Sequence, residues 1–102
     1  MTSSEKSAAK QEIIAEFKRG YIDRYDTVYI PTGADRGCAS NLLNWYGREL
    51  SILIIMKFWD CIDNVHTYAN CRPTLTALVW NRADLVKRIF EDSNKTSEEH
   101  SF

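Results

Sequence analysis

Between Asn41 and Ile62 the chain reads NLLNWYGRELSILIIMKFWDCI, and from Leu50 to Trp59 only Ser51 and Lys57 are polar. No other stretch is so apolar, so whatever this chain folds into must be organised around it. A helix over these residues is apolar on nearly every face, as expected of an element surrounded by others. Lys57 comes too early for a membrane span, which needs about 20 consecutive apolar residues. The stretch is therefore expected to be a buried core helix, running from Glu49 to about Asp63 and closed by Asn64.

The rest of the chain supplies amphipathic partners. Ile13, Ile14, Phe17, Tyr21 and Tyr25 recur at three- and four-residue spacings, with Ala8, Ala9 and Ala15 as helix formers, and this predicts a helix from Ser4 to about Tyr25. Gly20 interrupts it, at a cost of about 1 kcal/mol relative to alanine, so the helix bends or ends there or something packs closely against it. Residues 27–31 (Thr27, Val28, Tyr29, Ile30, Pro31) read as an extended linker or single edge strand.

Thr32-Gly33-Ala34-Asp35 has the form of a capping box and opens a second helix. That helix carries Ala34, Cys38, Leu42 and Leu43 and ends at Gly47. After Pro73, Thr74 to Trp80 forms a short fourth helix. Asn81-Arg82-Ala83-Asp84 repeats the capping form ahead of Leu85, Val86, Ile89 and Phe90. The expected fold class is all-α: a compact bundle of four to five helices around the central one, in a single domain over 1–92, with 93–102 as a mobile acidic tail lacking any apolar period.

Charge narrows the function. The chain has 13 basic and 14 acidic residues, with ten Lys or Arg against eight Asp or Glu between Ile13 and Phe90, while Glu91, Asp92, Glu98 and Glu99 crowd the end. Such a balance does not argue for tight non-specific binding to a phosphate backbone, although a local basic face is compatible with it. The polar segment MTSSEKSAAKQE has no secretory character, and the expected location is the cytoplasm.

Cys38, Cys61 and Cys71 form no CxxC pair. Cys61, Asp63, His66 and Cys71 are the nearest approach to a zinc set, but their intervals are too long for one loop to chelate, so no metal or other cofactor is expected. Asp60 and Asp63 read as a polar helix stripe. With no Gly-rich phosphate loop and no nucleophile beside a base, the expectation is a protein that is not an enzyme and has no small-molecule ligand.

Candidate binding residues gather in two places. Arg36 at the start of helix two, Arg48 just past its end, and His66, Tyr68 and Arg72 in the loop before Pro73 combine aromatic faces with arginine forks. Such a set suits single-stranded DNA, another nucleic acid or an acidic protein. Arg82, Lys87 and Arg88 make the last helix a better groove reader than the apolar helix after Gly47, or equally form the wet side of a bundle.

The middle of the chain resembles a small helical domain of replication accessory proteins from phages and mobile elements. The resemblance covers Tyr21 to Phe90 and rests on Tyr25 and Tyr29 ahead of Thr32, Gly33 and Asp35, on LLNWYG at Leu42 to Gly47, on Phe58 and Trp59, and on RPTLTAL at Arg72 to Leu78. It implies a non-enzymatic accessory module, similar to replisome organisers and helicase loaders, that touches nucleic acid or a replication protein. The alternative is a small inhibitor that binds and blocks a host or defence protein, as anti-CRISPR proteins do; near-neutral charge and exposed aromatic residues suit it.

Overall fold

In the computed structural model the backbone is described for residues 2–65 and 72–100, and side chains for 2–63 and 72–92. The first helix, α1 (Ser3–Tyr25), starts at Thr2, whose hydroxyl accepts from the Glu5 amide while the Glu5 carboxylate takes the Thr2 amide. Ala9, Ile13, Phe17 and Tyr21, each four residues from the last, make its buried stripe. Asp26 ends the helix in the left-handed region, at φ 54°.

Residues 27–31 follow and form no strand; among the described residues there is none. Thr32 then caps α2 (Gly33–Asp60) through the expected box with Asp35. Asp35 is only 2% exposed, yet its carboxylate is well satisfied, accepting from the Thr32 amide and hydroxyl and from the Tyr29 hydroxyl at 2.8 Å.

α2 is two helical arms, 33–46 and 48–60, divided at Gly47, whose φ of 80° and ψ of 172° are not helical. The turn is sharp. Ser51 and Leu42 would be about 13 Å apart along a straight helix, but the Ser51 hydroxyl donates to the Leu42 carbonyl at 2.9 Å. Past the turn, the second arm runs beside α1 in the same direction. Arg48 meets Glu12, Phe58 lies 6.2 Å from Phe17 between ring centres, Trp59 rests on Gly20, and Arg24 donates to Asp63 at 2.5 Å.

This arm differs from its sequence-based expectation in two ways. Ile54, Ile55 and Phe58 are fully buried, but Leu53 and Met56 are half exposed, so one face stays open to solvent. Lys57, between those faces, reaches an ion pair with Asp92. The arm also stops at Asp60: Cys61 closes it at non-helical angles, its amide and thiol both donating to the Lys57 carbonyl, and a separate turn, α3 (Ile62–Val65), follows.

The short helix α4 (Leu75–Trp80) is capped by Thr74, with the buried Pro73 just ahead of the cap. α5 (Arg82–His100) follows after Asn81. Asn81 does not act as the expected N-cap. Its side-chain amide donates backward to the Ala77 carbonyl at 2.8 Å and seals α4, because an amide donates as readily as it accepts. The backbone of α5 is helical to His100, well past the last apolar position at Phe90. α1, α4 and α5 all pack against α2. No described helix is long and apolar enough to cross a membrane.

Candidate interaction surface

The basic residues singled out in the sequence do not share one fate. Arg48 is tied to Glu12, Lys87 to Glu91 at 3.8 Å and Arg88 to Asp84 at 2.8 Å, so three of the nominated charges are matched within the chain. Arg36 is exposed beside Ser7, Lys10, Gln11 and Ile14 of α1, with no carboxylate partner among the described residues. Arg72 stacks over the Tyr25 ring at 5.0 Å, a ring that Arg24 also approaches at 6.0 Å. His66 and Tyr68 lie outside the described residues. Arg36 and Arg48 are brought to α1, whereas Arg72 sits at Tyr25 near the other end of that helix.

Arg82 is different. Its guanidinium lies 4.4 Å from the centre of the Trp45 ring and donates to the Val79 carbonyl at 2.9 Å, and among the described residues it meets no carboxylate. Trp45 is 50% exposed, and Trp80, at the end of α4 two residues from Arg82, is 82% exposed. The folding reasons are local. Leu75, Leu78 and Val79 are the buried side of α4, which throws Trp80 outward. The break at Asn81 then starts α5 with Arg82 turned onto the first arm of α2.

The result is an arginine fork held in place by the half-exposed Trp45 ring and a carbonyl, two residues along the chain from the open indole of Trp80. A guanidinium fixed this way loses little freedom when it takes a carboxylate in two-point geometry. Trp and Arg are also the residues that dominate binding at protein interfaces. Arg82 was legible in the sequence, but Trp45 and Trp80 were not singled out. The signal for Trp80 was its position off the Leu75, Leu78, Val79 stripe.

Cys38 and Cys61 are free, Cys38 sits 3.6 Å from the Thr76 hydroxyl, and burial pushes the Cys61 thiol up, away from a reactive thiolate, despite Arg88 and Lys57 nearby. Among the described residues no three His, Cys, Asp or Glu side chains are grouped to hold a metal, and two of the residues weighed for zinc, His66 and Cys71, lie outside them. The chain matches no family model, no curated protein and no solved structure.

Proposed function

We propose that this chain is a non-enzymatic binding module that docks on another protein through Trp45, Trp80 and Arg82. The observation that carries this reading is Trp80, a large aromatic side chain left 82% exposed at a helix end, two residues from an arginine with no carboxylate partner among the described residues. The matching partner surface has an apolar pocket for an indole and a carboxylate for Arg82. Protein recognition is favoured over phosphate recognition because Arg48, Lys87 and Arg88 are already neutralised by Glu12, Glu91 and Asp84.

The second arm of α2 serves as the centre of a helical bundle in this reading, supported by the packing of α1, α4 and α5 against α2. Given the resemblance of Tyr21 to Phe90 to mobile-element accessory domains, the partner classes are a replication protein or a host or defence protein that the module blocks. Affinity capture from the native cell lysate, with and without nuclease, tests the proposal. The partner should survive nuclease and be lost with Trp80→Ala or Arg82→Ala, but not with Lys87→Ala. Capture that nuclease abolishes, and that Arg36→Ala and Arg72→Ala weaken, would replace this reading by nucleic-acid binding.

A further inference from the structure

At the opposite end of the first arm of α2 from Trp45, residues 27–31 combine three features. From Val28 onward their exposure alternates: Val28 is 62% and Ile30 81% exposed, while Tyr29 and Pro31 between and after them are half-buried. This is the period of an extended chain. The backbone groups of Thr27, Val28, Tyr29 and Ile30 make no hydrogen bond among the described residues, and since buried orphans are rare, these groups face water. The run is also held still, because the Tyr29 hydroxyl is anchored on Asp35 and its ring packs edge-on against Phe17 at 4.9 Å.

From this geometry we infer that residues 27–31 are a preformed docking edge for an extended peptide segment of a partner protein, which adds to it as a β-strand. An unpaired backbone run fixed at its middle residue is a template for strand addition, in which main-chain bonds give affinity and alternate side chains give selectivity. Val28 and Ile30 are β-branched and side by side on the open face, so they favour β-branched residues opposite them. Beside them a shallow groove is lined by Ala15, Ile22, Val28 and Tyr29, with Lys18 and Arg19 as its charged lining residues. Arg19 is engaged by Glu16, but Lys18 has no carboxylate partner among the described residues. The favoured segment therefore alternates β-branched with acidic residues. This edge is separate from the Trp45, Trp80 and Arg82 face and does not depend on it.

The test uses the full chain and three short blocked peptides: alternating valine and glutamate, the same peptide methylated on alternate backbone nitrogens, and alternating valine and lysine. Titration followed by amide NMR should show the valine–glutamate peptide binding at residues 27–31, with at least tenfold weaker binding after N-methylation and with lysine in place of glutamate. Lys18→Glu should reverse the charge preference. Ile30→Glu, at a position too exposed to threaten the fold, should weaken the acidic peptide severalfold. Equal binding of the methylated peptide would show side-chain capture without strand pairing and overturn the inference. Absence of binding at millimolar peptide would overturn it as well.

Discussion

The indole of Trp59 rests on Gly20, in the space that a Cβ at that position would fill. Here the glycine is an absence that the ring occupies, and α1 passes through it as unbroken helix. Around that contact Phe17, Tyr21, Tyr25 and Phe58 close on Trp59, with ring centres 5.0 to 6.4 Å away.

Gly20→Ala should therefore destabilise the protein, against the usual trend. Alanine gains about 1 kcal/mol over glycine inside a helix, but overpacking a core costs roughly 1 to 3 kcal/mol, and the overlap is with a rigid ring. Chemical denaturation should show a net loss. In a Trp59→Leu background the same substitution should become neutral or stabilising; a loss of equal size there would refute steric conflict as the cause.

Gly47 is needed for another reason. Nothing lies within 4 Å of a Cβ built there, so space is not the issue; its φ of 80° is. Gly47→Ala should cost about 1 to 3 kcal/mol through backbone strain alone, and Ser51→Ala, which deletes the bond to Leu42 across the turn, about 1 kcal/mol. Gly37→Ala, in open space on the first arm, is the control and should stabilise slightly.

What could be read from the sequence was local. The α1 stripe, the Thr32 and Asp35 box and the break at Gly47 each depend on residues within one or two turns, and the structure has all three. The capping role of Asn81 was misread because one amide can serve either helix. The open face at Leu53 and Met56 depends on which neighbours arrive, and hydropathy along one segment does not carry that. The same is true of the charges: Arg48 looked available until the fold brought Glu12, thirty-six residues away, beside it.

The pairing of those charges should contribute little to stability. Arg48→Ala should cost less than about 1 kcal/mol, as exposed pairs do, and the difference should shrink in high salt. Trp80→Ala should leave the melting temperature nearly unchanged, since so exposed a side chain contributes little packing. A large drop in melting temperature for Trp80→Ala would mean that its ring is structural and would remove the main support for the proposed docking face.

The last prediction concerns alkaline pH. Burial, reinforced by the hydrogen bond to Asp35 and the charge of that carboxylate, pushes the Tyr29 phenol well above its ordinary value. In the unfolded chain the same phenol ionises near pH 10, about the usual tyrosine value. Above that pH the unfolded state releases a proton that the folded state still holds, so it binds fewer protons and folding stability falls as pH rises. Below it both states keep the proton, and this group adds no pH dependence. Tyr29→Phe should accordingly cost stability at neutral pH, because Asp35 loses a donor while remaining buried. Its stability should then decline less steeply than that of the wild type from pH 10 upward. Parallel stability curves for the two proteins across that range would show that Tyr29 ionises equally easily folded and unfolded, and that the bond to Asp35 does not hold its proton.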